Sequence, residues 1–544
     1  MTSDDYVAGS ITVGMADGLR SAGVSRMFGM PGGGPNLEMI GAAAARGIPF
    51  TLAHGETAAC VMAGAFGLLT GTPGVAVVTR GPGLTSALTG LAQATLDRAP
   101  LLLVSDRVPE ADRGRVGHQR LDQLAATAPV TLWNGVLGHD DPAAAVVAAA
   151  ALALGPPAGA VHLDYDPGVP GDRPPAPPAA LPLDPVARDR AITLARGRRR
   201  PVVLLGAAAA ARAGDLRRVL VGSGVPVLTT YQAVGCVDGR GAEFGGLFTN
   251  AAAERPLLAA ADLIIGVGLD GVEPMPGPWS WNVPTLLLTA ETVDPAYFDG
   301  ALLVGGPVEE LLAAVLGATD PDWPPAAGRA HLDELLAALG ADPAPVPADD
   351  EWPTDATLGP VALAMALQRR HPDTPVTVDA GAHMLAAMPL WRPSRPHQLL
   401  ISNGLATMGY ALPAAIGAAL AAEPLGRADR RVLCLVGDGG LGMTLAELET
   451  AARLALPITV VVFDDAALSL IELKQGAGHG GPAAVRFRPV DFAAVAAGVG
   501  IPSAVARTLS DVEAALDRVG TGPFLLDARV DPAGYPEVLR ISRG

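Results

Sequence analysis

Short, wholly apolar runs alternate along the chain with Ala- and Leu-rich stretches of helical length. GVAVVT (74–79) and PLLLVSD (100–106) flank a helix-like stretch at 84–96, and RPVVLLG (200–206), GVPVLTT (224–230) and ADLIIGVG (261–268) repeat the theme. RVLCLVGD (431–438) and PITVVVFDD (457–465) do so once more. A strand with one wet face alternates apolar with polar residues, whereas a strand covered on both faces is apolar throughout. Apolar strands between helices therefore predict parallel sheets sandwiched by helices, an α/β fold class of doubly wound parallel-sheet domains.

A chain of 544 residues is too long for one ordinary core, since domains run to about 100–200 residues. Two Pro-rich stretches, 165–185 and 340–353, read as extended connections. They predict three domains: 1–170, 186–335 and 354–544. The 66 glycines and 50 prolines stay below the roughly 25–30% that marks low-complexity sequence, so a globular chain is expected.

The formal net charge is −17, and Lys474 is the only lysine. An acidic chain without clustered bases excludes a nucleic-acid-binding face, which must neutralise phosphates. Cys60, Cys236 and Cys434 lie far apart in apolar surroundings, with neither a disulfide framework nor a zinc spacing. No apolar run approaches the roughly 20 residues of a membrane span, and MTSDDYVAGS lacks a signal pattern. A cytoplasmic protein with no membrane partner is expected.

The chemistry is concentrated between 431 and 467. RVLCLV reads as a strand, GDGG as a turn, MTLAELETAARLAL as one helix and PITVVVF as the next strand. The right-handed crossover of such a unit brings both strand ends to one sheet edge, where open α/β sheets bind ligands. Asp438 and Asp465 can therefore converge there. The backbone at Gly437, Gly439 and Gly440 allows close approach of a phosphate to a helix N-terminus. Two carboxylates beside a phosphate repel it unless a hard cation such as Mg²⁺ sits between them. GDG alone is equally the tight turn before any helix.

The longer order, GDG, then ELETAARLALP, then DD, resembles the signature of thiamine-diphosphate-dependent enzymes, in which paired Asn usually close the motif. HGETAACVMAGAFGLLTGTPGVAVVTRGPGLTSALTGLAQATLDRAPLLLVSD resembles the pyrimidine-binding domain of the acetolactate-synthase-like group. NGLATMGYALPAAIGAAL (403–420) resembles the strand and helix beneath the cofactor's thiazolium. The resemblance spans the whole chain and implies pyrimidine-binding, central and diphosphate-binding domains in that order.

It also implies roles. Glu56 would hydrogen-bond the cofactor's aminopyrimidine and promote the tautomer that takes the C2 proton, although His54-Gly55 stands where many relatives have Arg-His. Met408 would be the apolar wedge that holds the cofactor bent. Asp438, Asp465 and the Ala467 carbonyl would hold Mg²⁺, with Asp465 replacing the usual Asn. Gly381 and His383 of DAGAHML match residues of the cofactor domain, and His383 would otherwise be a structural hydrogen bond. Gln119 matches a glutamine near the reacting centre. His118 replaces the Phe of pyruvate-handling relatives, either to move protons or to cap a surface loop. Leu470 and Ile471 match the pocket wall and, being apolar, imply a small or hydrophobic acyl group.

The expected activity is decarboxylation of a 2-oxoacid with transfer of the acyl unit to a second carbonyl compound. The alternatives are a non-decarboxylating lyase or acyltransferase using the same cofactor, or a non-catalytic paralogue. The central third shows no useful Gly spacing in VVLLGAAAAARAG, and GLDGVEPMPGP replaces an Arg- and Asp-rich segment, so no FAD is expected. Relatives build each active site across a subunit interface, so a homodimer or homotetramer is implied.

Overall fold

The computed structural model describes residues 3–274, 277–341, 357–427, 431–475 and 481–544. Their strands form three six-stranded sheets in which every pairing is parallel. The first contains β1 (Met27–Met30), β2 (Phe50–Leu52), β3 (Gly74–Val78), β4 (Leu101–Asp106), β5 (Trp133–Leu137) and β6 (Ala160–Tyr165). The central sheet contains β7 (Pro201–Leu205), β8 (Val227–Thr229), β9 (Phe244–Leu247), β10 (Leu263–Val267), β11 (Thr285–Thr289) and β12 (Leu302–Gly305). The third contains β13 (Val376–Val378), β14 (Leu399–Ile401), β15 (Val432–Gly437), β16 (Ile458–Asp464), β17 (Ser503–Ala506) and β18 (Phe524–Arg529). β3, β4, β7, β10 and β16 are buried along their whole length, which is why they read as unbroken apolar runs.

The first sheet runs β2-β1-β3-β4-β6-β5 and the third β14-β13-β15-β16-β18-β17, the same order twice. The central order, β12-β11-β10-β7-β8-β9, differs: its first strand lies in the middle and the chain winds outward in both directions. A sheet of either kind has a switch point where neighbouring connections leave to opposite faces and open a crevice. In the third sheet that point lies between β13 and β15.

The first and third sheets are joined by helices. Helix Ala411–Ala421 is buried throughout and packs against helix Glu56–Thr70. The approach is close: a Cβ at Gly417 would lie 2.3 Å from the Met62 carbonyl oxygen.

Three sequence expectations change. GDGG is not a turn ahead of the helix, because helix Asp438–Thr444 already begins at Asp438. MTLAELETAARLAL is not one helix: Leu445 and Ala446 separate Asp438–Thr444 from Glu447–Arg453. Residues 403–410 contain no strand, and the helix starts only at Ala411. The last of these stretches is held by side chains from elsewhere: Asp97 accepts the N–H groups of Asn403 and Gly404, and Asp379 those of Gly409 and Tyr410. Between Tyr165 and Pro185 the chain has no helix or strand. The second Pro-rich stretch and the 354 boundary lie largely outside the described residues.

Candidate active site

A cavity of about 180 Å³ opens where β13, β15 and β16 end. Residues following each strand line it: Gly381 and His383 after β13, Asp438, Gly439 and Gly440 after β15, and Asp465, Ala467, Leu470 and Ile471 after β16. Gly437, the last residue of β15, and Met408, from the loop before helix Ala411–Ala421, complete the set that the sequence nominated in this third of the chain.

The two aspartates after β16 divide. Asp464 is buried and pairs with Arg529 at 2.6 Å, away from the cavity, while Asp465 turns into it and bonds the Ser469 hydroxyl. Asp438 accepts N–H bonds from Gly439 (2.7 Å) and Ala467 (3.1 Å), which ties the two strand ends together. Burial, and then the charge of Asp465, push the Asp438 carboxyl up to about 7. Asp465 is raised by burial too. Two carboxylates on one small cavity, the charge of Asp465 raising Asp438, fit a hard dication, which takes oxygen donors and removes the repulsion.

His383 is buried and stacked at 5.4 Å on Phe463. Burial lowers its pKa to about 4, so the ring is neutral. Its Nε2 has no hydrogen-bond partner, which leaves one polar atom for a ligand in an otherwise apolar wall. Gly381 is needed because a Cβ there would lie 2.7 Å from His383 Nδ1. Gly439 lies under Met408 and Leu468: a Cβ would come within 3.1 Å of Met408 Cε and 2.9 Å of Leu468 Cδ2. Gly440 is tighter still, with Asp379 Oδ2 at 1.9 Å from the position of a Cβ. A dication site beside bare backbone and a free imidazole nitrogen fits a diphosphate-bearing cofactor with a polar ring.

Reasoning from sequence missed Asp379, Phe463, Ser469 and Tyr535. Asp379 opens the DAGAH motif at the end of β13, and its position at a strand end was the available signal. Tyr535 comes from the C-terminal helix Tyr535–Arg543, for which no local signal exists. Helix Ser469–Lys474, which carries Leu470 and Ile471, ends at the exposed Lys474.

The first third assembles a second group. Glu56 opens helix Glu56–Thr70, is half-buried, and is raised in pKa by burial. Its carboxylate lies beside Gly83, 3.4 Å from where a Cβ would stand. Gln119, at φ 54°, packs against Gly81, whose own φ is 66°. Gln123 holds this turn by accepting the Gly81 N–H at 2.8 Å while donating to the buried Asp164 at 2.7 Å. His118 is exposed on the adjoining loop. None of Glu56, Gln119 and His118 lines the 180 Å³ cavity of the same chain.

A larger crevice, about 630 Å³, lies at the carboxyl edge of the central sheet between the ends of β7 and β10. It is lined by Asp270, Glu291 and Asp294. The buried Glu273 accepts the N–H of Ala207 there at 3.0 Å and that of Asp270 at 3.1 Å, and bonds the Thr230 hydroxyl. The chain's own carboxylate thus takes the backbone N–H groups at the ends of β7 and β10.

The chain belongs to the thiamine pyrophosphate enzymes: the N-terminal TPP binding domain of that family matches residues 11–126 and the C-terminal TPP binding domain residues 379–528. Within the family it is acetolactate-synthase-like. It is 30% identical over 542 residues to acetolactate synthase from Bacillus subtilis (strain 168), covering 95% of this chain and 92% of the relative. It is 29% identical over 502 residues to 2-hydroxyacyl-CoA lyase from Oryza sativa subsp. japonica, covering 84% and 83%. A thiamin diphosphate-dependent enzyme from Mycobacterium smegmatis has the same fold, with a TM-score of 0.77 at 22% identity, over 96% of this chain and 99% of that one. No described helix is long and apolar enough to cross a membrane.

Proposed function

We propose that this enzyme decarboxylates a 2-oxoacid and joins the acyl unit to a second carbonyl compound, with thiamine diphosphate and Mg²⁺ held in the 180 Å³ cavity. The observation that carries the reading is the convergence of Asp438, Asp465 and Ala467 with the free Nε2 of His383, against Met408 and an apolar wall. Bound thiamine diphosphate supplies a nucleophilic carbon and an electron sink. The protein's part is to hold, bend and desolvate it. Asp438, Asp465 and the Ala467 carbonyl offer hard oxygens to the metal, and the bare backbone of Gly437, Gly439 and Gly440 lets the diphosphate approach. Met408 supports the ring system from below. Leu470 and Ile471 select a small or hydrophobic acyl group and keep water out.

Glu56, whose carboxyl is raised in pKa by burial, hydrogen-bonds the pyrimidine ring, while Gln119 and His118 orient the substrate carbonyl. Because these three stand away from the cavity of their own chain, a second copy supplies them, as a homodimer or a pair of homodimers. In this reading residues 1–170 receive the pyrimidine ring, 186–335 space the two ends, and 354–544 hold the metal and diphosphate. No FAD takes part in this reading, which the occupation of the Ala207 and Asp270 N–H groups by Glu273 supports. Three buried free thiols suit a reducing cytoplasm.

The test is CO₂ release across a panel of 2-oxoacids with thiamine diphosphate and Mg²⁺, beside a Glu56→Gln control. Release that depends on Glu56 is expected. Cofactor-loaded protein that releases none would favour the second reading, a non-decarboxylating lyase or acyltransferase, which the likeness to the 2-hydroxyacyl-CoA lyase supports.

A further inference from the structure

Asp97 follows helix Pro82–Leu96, at the end where the helix dipole disfavours a negative charge. It is also only 4% exposed. A carboxylate in such a place is costly unless donors surround it. Two of its donors come from another part of the chain and one from its own helix: Oδ1 accepts the backbone N–H of Asn403 at 3.0 Å and of Gly404 at 2.5 Å, while Oδ2 accepts Gln93 Nε2 at 2.9 Å. The loop so held runs from Ser402 to Gly409 and carries Met408 into the cofactor cavity. Its far end is held in the same way, by Asp379, whose oxygens accept the N–H groups of Gly409 (3.0 Å) and Tyr410 (2.9 Å).

The near end is pressed on the first third of the chain. A Cβ at Gly404 would fall 2.4 Å from the Leu96 carbonyl oxygen, so the loop backbone rests directly on the end of the helix. The central third closes the junction: Gln232 Nε2 donates to the Asp97 carbonyl at 3.1 Å, and Arg98 pairs with Asp270 at 2.5 Å. A loop tied at both ends has few arrangements left, and Met408 sits between the two ties.

We propose that Asp97 is a positioning residue for the cofactor: from the first sheet's helix it fixes the loop that sets Met408, so the bend of the cofactor is determined across two units. This rests on the reading of Met408 as the support for the cofactor's rings. Asp97 touches neither cofactor nor substrate and acts only through the loop.

The test measures thiamine diphosphate affinity in the presence of Mg²⁺, and exchange of the bound cofactor's C2 proton with D₂O. The variants are Asp97→Ala, Asp97→Asn, Gly404→Ala and Met408→Ala, each checked by thermal unfolding. Asp97→Ala and Gly404→Ala are expected to slow exchange about tenfold or more, because small misplacements of a reacting geometry are costly. Asp97→Asn should stay close to the parent: its oxygen still accepts from Asn403 and Gly404, and its amide can reach the Gln93 Oε1 that now has no partner. Met408→Ala should show the same loss, and Asp97→Ala added to it should do little more, as for residues acting through one another.

Exchange unchanged in folded Asp97→Ala, or fully additive losses in the double variant, would overturn the proposal. If Asp97→Ala does not fold, Gly404→Ala decides by the same readout. Neither measurement contains a 2-oxoacid. Failure of every acid to release CO₂ would thus sink the proposed reaction alone, while the exchange rates judge Asp97.

Discussion

Asp465 gives the cavity a second carboxylate where an amide would have been neutral, so the unfilled site is strained by repulsion with Asp438. Asp465→Asn is expected to weaken the dependence of cofactor binding on Mg²⁺ concentration, since less repulsion is left for the cation to relieve. Titrations that superimpose for parent and variant would show that Asp465 does not face the metal. Glu273 makes a separate case in the central sheet. Folded, it keeps its proton up to about pH 7, held there by burial, whereas the unfolded chain releases it near the ordinary value of 4.5. The folded state binds more protons between these values, so stability should fall as pH rises from about 4.5 to 7 and level off above, by on the order of 3 kcal/mol for this group. Glu273→Gln should flatten that part of the curve in thermal unfolding between pH 5 and 8. A parent and variant with the same slope would mean that other groups set it.

Strands were the most legible elements, because burial on both faces leaves an unbroken apolar word such as VVLLG or ITVVVF. Helices next to the cavity were less so. The stretch from Met443 to Leu456 is rich in good helix formers, and propensity alone predicts one helix rather than a break at Leu445 and Ala446. Asp438, Asp465 and the glycines beside them were readable because they follow two strand ends within one short stretch, whereas Gly381, His383, Met408, Leu470 and Ile471 were reached only through the family resemblance. Asp97 and Tyr535 were not readable, since each matters through a neighbour far away in sequence, and for Asp379 the position at a strand end was the one signal. Contact between helices Ala411–Ala421 and Glu56–Thr70 is equally silent in the sequence, though Gly417 makes it possible. Gly417→Leu should drive the side chain into the Met62 carbonyl and cost about 1–3 kcal/mol, the usual penalty of overpacking. Chemical denaturation measures it, and an unchanged midpoint would mean that the two helices do not meet this closely in solution.

The group around Glu56 and the cavity around Asp438 are separate places in one chain, since Glu56 does not line that cavity. Glu447 links them: its buried carboxylate accepts the N–H groups of His54 (2.9 Å) and Gly55 (3.1 Å), just ahead of Glu56, from the helix Glu447–Arg453 that follows Asp438–Thr444. In the proposed dimer one chain serves one site with Glu56 and another with Asp438. Glu56→Gln and Asp438→Ala chains should each be inactive alone, yet regain about a quarter of parent activity when dissociated and remixed, as random pairing in a two-fold dimer leaves one intact site in each mixed pair. No recovery in mixed dimers verified by mass would place both halves in one chain.

Lys474 adds a practical consequence. As the only lysine, exposed at the end of the helix that carries Leu470 and Ile471, it gives amine-directed dyes a single side-chain address beside the mouth of the cavity, the chain's own amino terminus being the other place they can attach. A fluorophore there would follow filling of the cavity without any engineered cysteine, and a lysine-specific crosslinker would fix the molecule at that one point of its surface.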